Sequence, residues 1–188
     1  MKRIIILLLA NLVVGLPVWS VPHTMVTYTI DAERNAYDHN NKGIMYMEEK
    51  FYAAAIQEFK IAISLNPNTQ ATAVYFTNLG NVYTRIGYPN LALDCFERAL
   101  KQYNLNFDYY INLAKCYKTL NMATSKLGQY SKRNDQLSKV MVGLLYEQLG
   151  NKKKAIIVLD EFAMTEPELI ITPSVKQHIQ KLVKELQK

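Results

Sequence analysis

The chain contains an internal repeat, and this feature limits its possible folds more than any other. Three stretches place a glycine, a tyrosine, an alanine and then a large apolar residue at the same spacing. The three sets are Gly43, Tyr46, Ala55 and Phe59; Gly80, Tyr83, Ala92 and Phe96; and Gly143, Tyr146, Ala155 and Leu159. A short repeat cannot bury its apolar face alone, whereas stacked repeats share a continuous core. The sequence therefore predicts a stack of similar units.

The apolar residues of each stretch predict helices. They recur at helical spacing and so lie on one face of an amphipathic helix. Gly87 and Gly150 are expected to end the first helix of their units in the left-handed conformation, and Pro89 fits the first turn of the next helix. The glycines that begin the sets are expected where two helices cross so closely that a side chain would push them apart. Each unit is therefore predicted to be a helical hairpin.

These spacings resemble the tetratricopeptide repeat family, whose 34-residue unit follows the pattern L-G-x-x-Y, then Ala, Phe and Pro. The most specific match is Asn78-Leu79-Gly80-Asn81-Val82-Tyr83 with the residues that follow it. The resemblance covers residues 36–169 and implies an all-α solenoid of antiparallel helix hairpins. The expected units are 36–69, 73–106, a degenerate hairpin at 107–135, and 136–169, with a C-terminal capping helix at 172–188.

The segment 107–135 departs from the repeat pattern. Ala114 occupies the position of the glycine found in the other units, and residues 122–134 lack the alanine and phenylalanine of a second helix. Two layouts are open: a truncated second helix at about 123–133, or one long helix ending at Gly128. The first is favoured because the unit that begins at Gln136 needs its own opening helix.

Residues 1–20 have the plan of a secretory signal. Met1-Lys2-Arg3 is basic, an apolar run follows, and Ser20 suits a cleavage site. The apolar run 4–19 is shorter than the roughly 20 residues that a spanning helix needs. Cleavage and retention as an N-terminal membrane anchor both stay open, with membrane contact expected only on retention. Either outcome predicts an exported, periplasmic or otherwise extracytoplasmic protein, in which residues 21–35 form a linker and helix lead-in.

The charge distribution argues against nucleic acid as a partner. Residues 36–106 hold six basic and six acidic side chains, and residues 107–188 hold thirteen and eight. The basic excess is not interleaved with stacking aromatics, and an exported protein rarely meets nucleic acid. A solvated surface explains the excess, and weak attraction to an anionic partner is the alternative.

Chemistry-bearing residues are scattered, so no catalytic, metal or cofactor site is expected. His23, His39 and His178 are far apart, and the sequence has no C-x-x-C, H-E-x-x-H, G-x-S-x-G or phosphate-binding glycine loop. Cys95 and Cys116 fall inside helical patterns, where a buried thiol is the usual outcome and a disulfide the alternative. The chain is therefore expected not to be an enzyme.

The resemblance implies a function in binding. In the family, the first helices of the hairpins line a concave face that holds an extended peptide or a partner protein. The residues expected to contact such a partner are Asn40, Asn41, Asn78, Asn81, Arg85, Asn112 and Lys115. Asparagine both donates and accepts hydrogen bonds, so a row of asparagines can contact a peptide backbone. A subtype of the family grips a C-terminal carboxylate, but Asp108 has the wrong charge sign for it. The expected role is an exported scaffold, plausible in envelope assembly or secretion.

The fourth unit presents an apolar stripe where the others are polar. Its residues are Leu137, Val140, Met141 and Leu144. Exposed, this stripe would be unusual on a monomer, and it would predict a homo-oligomer or a self-assembling structural protein. Coverage by the irregular third unit is the other possibility.

Overall fold

The structure is a computed structural model that describes residues 31–187, and within this range it contains nine α-helices and no strand. The helices are α1 Ala32–Glu48, α2 Tyr52–Leu65, α3 Gln70–Arg85, α4 Pro89–Gln102, α5 Phe107–Thr119, α6 Ala123–Tyr130, α7 Gln136–Gln148, α8 Lys152–Thr165 and α9 Thr172–Leu186. The predicted all-α class is confirmed. The expected signal at 1–20 and the linker up to residue 30 lie outside the described residues.

Three pairs of successive helices fold back on each other as hairpins: α1 with α2, α3 with α4, and α7 with α8. The three glycines of the repeat explain how closely these helices approach. A Cβ atom added to any of them would fall within the next helix's large apolar side chain. The added Cβ atom would lie 2.6 Å from a ring carbon of Phe59 at Gly43, 2.6 Å from a ring carbon of Phe96 at Gly80, and 2.5 Å from a side-chain carbon of Leu159 at Gly143.

A left-handed residue lies in the turn between the two helices of every unit. Gly87 and Gly150 have φ angles of 79° and 83°, and Lys50 and Asn121 occupy the corresponding turns at 65° and 57°. Glycine adopts this conformation without steric cost and asparagine tolerates it. The shared turn shows that the third unit keeps the hairpin connection although its second helix is irregular.

The third unit is not a regular hairpin. A turn at residues 120–122 separates α5 from α6, so no single long helix runs through this segment. The short α6 packs mainly on α7 and hardly on α5, and α5 packs directly against α7. Tyr117 of α5 fills the remaining space, and its hydroxyl donates to Glu97 Oε1 over 3.0 Å. The third unit lacks the alanine and phenylalanine of the repeat, and correspondingly its second helix, α6, makes little contact with its first helix, α5.

Helix α9 and the third unit cover the apolar stripe of the fourth unit. Val140 and Met141 are 0% exposed and Leu144 is 1% exposed, in one core cluster with Val175 and Leu182 of α9. Leu137, half-buried, packs against the same cluster. The prediction that a second copy docks on Leu137, Val140, Met141 and Leu144 is therefore wrong. The stripe is apolar because α7 has packed neighbours on several sides.

Both cysteines are buried free thiols. Burial raises the pKa of Cys95 to about 12 and the pKa of Cys116 to about 11. Burial likewise raises the pKa of the Tyr117 hydroxyl. Each of these groups is neutral in the folded chain at physiological pH, which is the state that an apolar core favours.

The thiols are expected to resist alkylation in the folded protein. At pH 8 about one thiol in a thousand or fewer is ionised, given a pKa of about 11 or higher. Iodoacetamide should leave the native chain unlabelled and add two groups after unfolding, as read by mass spectrometry. Because burial raises both thiol pKa values, the folded state holds these protons more tightly than the unfolded state does. The resulting contribution to folding stability is fully present below the ordinary thiol pKa and is lost as pH rises toward 11 to 12. Fast native labelling would contradict the burial.

Candidate functional site

A groove lies between two successive first helices, α3 and α5, and contains a cavity of about 140 Å³. We call it the α3–α5 groove. Its lining residues are Asn81, Thr84, Gly87, Pro89, Phe96, Asn112, Lys115, Cys116 and Thr119. The groove forms because α3 and α5 are both first helices of their units, and α4 supplies the floor between them. Three of the seven predicted partner-contacting residues, Asn81, Asn112 and Lys115, therefore meet at one cavity.

The rim of the groove carries amide groups without protein partners. Within residues 31–187, the side chains of Asn81 and Asn112 make no hydrogen bond to another protein group, and both are half-buried. The neighbouring hydroxyls are already used inside their own helices. Thr84 donates to the Gly80 carbonyl over 2.9 Å and Thr119 to the Lys115 carbonyl over 3.1 Å. The two amides are thus the groups available to a bound backbone.

The floor of the groove is apolar. Phe96 and Pro89 of α4 face Cys116 of α5 across it. The Cys116 thiol donates to the Pro89 carbonyl over 3.3 Å, so the polar atoms of this contact are paired with each other. The sequence did not predict this floor, because Phe96 was assigned to repeat packing and Pro89 to the start of a helix.

Asn40 and Asn78 have a structural role. Asn78 Nδ2 donates to Asn40 Oδ1 over 2.9 Å, which joins α1 to α3. Asn40 is only 5% exposed, so little of its side chain is open to a partner. Asn41 and Arg85 are exposed, and neither lines the cavity.

The cations beside the groove are not neutralised. Lys115, Lys118 and Arg85 are exposed, and within residues 31–187 they take part in no ion pair. Elsewhere in this range, Lys139 pairs with Glu161 at 2.7 Å and Lys152 with Glu185 at 2.8 Å. Within the described residues, Lys115 therefore places a positive charge at the α3–α5 groove that no ion pair neutralises.

Helix α9 limits how far the binding surface can extend. The His178 ring of α9 hydrogen-bonds to Glu147 of α7 over 2.7 Å and packs edge-on against Phe107 of α5 at 5.3 Å. These contacts bring α9 against both first helices at this end of the chain. The surface of α7 that corresponds to the α3–α5 groove is consequently occupied by protein.

The described residues contain neither a candidate metal site nor a helix that could span a membrane. Residues 31–187 bring together no group of three or more His, Cys, Asp or Glu side chains that a metal ion would need. None of the helices in this range has the length and apolar character to cross a bilayer. The absence of a metal, a cofactor and an enzymatic activity stays a prediction from the sequence.

The family model described as Tetratricopeptide repeat matches residues 73–104 and 138–168. The first match spans most of α3 and α4, and the second most of α7 and α8. A curated relative, the uncharacterized protein ycf37 of Cyanophora paradoxa, is 26% identical over 121 residues. The aligned part is 64% of this chain and 66% of that protein, so this chain spans about two thirds of the relative's length.

Solved structures share the fold. A tetratricopeptide repeat protein from Parabacteroides merdae has a TM-score of 0.50 and 21% identity, over 81% of this chain and 61% of that one. The structure of pilF from Pseudomonas aeruginosa has a TM-score of 0.50 and 19% identity, over 77% of this chain and 67% of that one. At these identities the likeness concerns the fold alone.

Proposed function

Because this chain is a tetratricopeptide repeat protein, we propose that it is an interaction scaffold that holds an extended peptide segment of a partner protein along α1, α3 and α5. The observation that carries the proposal is the α3–α5 groove, in which the amides of Asn81 and Asn112 make no hydrogen bond to another group of residues 31–187. A peptide backbone offers one donor and one acceptor per residue, and an asparagine amide can satisfy both. Binding then depends on backbone contacts more than on a fixed peptide charge.

The described surface limits the length of the bound segment. Helix α9 covers the corresponding face of α7, so the proposed binding surface ends at α5. Asn41 and Arg85 lie outside the cavity and would contact the flanking residues of a longer peptide. Scaffolding of this kind requires no catalytic group.

The proposal is tested by removing the two amides. Peptides would be selected from a random display library on the full chain, and their affinities measured by fluorescence polarisation. Asn81→Ala with Asn112→Ala is expected to weaken the binding of every selected peptide by about 5-fold to 140-fold, since each of the two lost hydrogen bonds costs about 0.5–1.5 kcal/mol. Asn90→Ala with Asn134→Ala is the matched control, because both residues are exposed and neither lines the groove. Equal affinities for the two double variants would refute binding at this groove.

The place of action is also part of the proposal. The basic start, apolar run and small residue at Ser20 support export, and the anchored form is the alternative because the same run 4–19 can be retained. A role in envelope assembly or secretion accords with an exported scaffold. Expression of the full chain in a bacterium, followed by fractionation, is expected to give a periplasmic protein whose sequence begins at Val21. A membrane-bound chain that still begins at Met1 would support the anchored form, and a cytoplasmic chain would contradict both.

A further inference from the structure

The α3–α5 groove combines an apolar floor with a basic rim, and these two features together specify a ligand. Building on the proposed function, we propose that the cavity takes one large apolar side chain of the bound peptide, such as Leu, Ile, Met or Phe. The proposal includes a second contact, in which a carboxylate next to that residue pairs with Lys115. The peptide class is therefore an apolar residue beside Asp or Glu, held in an extended conformation.

The size of the cavity supports the first contact. Its volume of about 140 Å³ is close to that of an engineered cavity of about 150 Å³ that binds benzene. An aliphatic or phenyl side chain therefore fits. Phe96 is already only 3% exposed, so burial of such a side chain removes mainly its own apolar surface and that of the half-buried Pro89 from water.

The polar atoms of the cavity disfavour a polar side chain. The Cys116 thiol and the hydroxyls of Thr84 and Thr119 already donate to carbonyl groups of the chain. A serine or asparagine side chain placed on the floor would lose its water without gaining a donor there, which is unfavourable. Among the lining side chains, the amides of Asn81 and Asn112 and the ammonium group of Lys115 make no hydrogen bond or ion pair within residues 31–187, and the two amides lie where the peptide backbone would pass.

The uncompensated cations support the second contact. Lys115 lines the cavity, and Lys118 lies one helical turn further along α5. Arg85 at the end of α3 is a further exposed cation, and it lies outside the cavity. An acidic ligand side chain beside the apolar anchor would meet an unpaired cation, and its association would weaken as salt concentration rises.

The test begins with the composition of the selected peptides. The random library on the full chain is expected to return sequences that share one apolar residue next to an acidic one. Replacing that apolar residue by serine in a synthetic peptide should weaken binding by about 10-fold to 100-fold, the range that burial of a large aliphatic side chain provides. Replacing the acidic residue by lysine should weaken binding at low salt and much less at high salt.

Two variants locate these effects in the groove. Thr119→Trp places a large ring at the cavity mouth and is expected to reduce the affinity of the apolar peptide to that of its serine version. Thr124→Trp is the matched control, since Thr124 is exposed on α6 and does not line the cavity. The Lys115→Glu variant is expected to bind the lysine-substituted peptide more tightly than the acidic peptide. The unmodified chain is expected to show the opposite order of affinities.

The outcomes separate this inference from the proposed function. The inference would be overturned if the selected peptides need Asn81 and Asn112 but bind equally well with serine at the apolar position. It would also be overturned if they bind equally well to the Thr119→Trp variant. In both cases the proposed scaffold function would remain supported. An unchanged peptide order in Lys115→Glu would overturn the acidic contact. Failure to select any peptide that depends on Asn81 and Asn112 would overturn the proposed function and this inference with it.

Discussion

Leu182→Asp is expected to detach α9 from the rest of the stack. Leu182 is 0% exposed and lies in the core cluster that contains Leu144 and Val175. Loss of a buried leucine side chain costs about 2–5 kcal/mol, and a buried unpaired carboxylate adds several kcal/mol more. The sum, at least about 4 kcal/mol, is comparable with the whole stability of a typical domain. The apolar stripe on α7 would then be exposed, and the variant should aggregate at a lower temperature than the unmodified chain.

Leu186→Asp provides the matched control. Leu186 is in the same helix and is 45% exposed, so its replacement should change stability by no more than about 0.5 kcal/mol. Hydrogen exchange is the suitable measurement, because it reports the local stability of each helix and so shows where protection is lost. Amides of α8 and α9 should lose protection in Leu182→Asp, while those of α1 and α2 keep it. Equal exchange in the two variants would contradict the packing described for α9.

Gly80→Leu is expected to separate α3 from α4. The Cβ atom alone would lie 2.6 Å from the Phe96 ring, so the larger side chain forces the two helices apart. Overpacking of a well-packed core costs about 1–3 kcal/mol for added methylenes, and this change should reach or exceed the upper end. A loss of about 3 kcal/mol corresponds to roughly 6–12 °C in the thermal midpoint for a chain of this size.

The control for this change is Gly128→Leu. Gly128 lies in α6 with open space around the position of its Cβ atom. Leucine is a better helix former than glycine by about 0.5–1 kcal/mol, so Gly128→Leu should raise the midpoint slightly. The gain in helix propensity is the same at both sites, and the difference between the two variants therefore measures the close helix contact. A midpoint of Gly80→Leu equal to that of Gly128→Leu would show that the helices can move apart at little cost.

The two glycine sites show which parts of the fold were predictable. Gly80 and Phe96 belong to one unit, and their contact recurs as Gly43 with Phe59 and Gly143 with Leu159. Because the helix crossing is local in sequence and repeated, spacing predicted a close approach at these glycines. It did not predict that Phe59, Phe96 and Leu159 would be the side chains in contact with them. Ala114 replaces the glycine in the third unit, and there α5 hardly packs on α6, so an additional methyl group is accommodated.

Predictions of the binding residues were less complete. The sequence selected first-helix residues one unit at a time, and Asn81, Asn112 and Lys115 indeed meet at one cavity. It had no means of showing that Asn40 accepts a hydrogen bond from Asn78, 38 residues away. Nor did it show the floor, since Cys116 and Phe96 come from helices of different units. Contacts between units depend on how neighbouring units are rotated, which no spacing within one unit records.

The sequence by itself determined the helices, their hairpin pairing and the three close helix contacts, because each of these depends on residues within about 34 positions of one another. Tertiary structure alone decided what covers the fourth unit. An apolar stripe such as Val140, Met141 and Leu144 can lie in a core or on an interface, and its composition does not distinguish the two; in the structure all three residues are buried. It is a core because α6 is too short to occupy its place beside α5, which lets α5 reach α7, and because α9 packs at the end of the stack and shares the same core cluster.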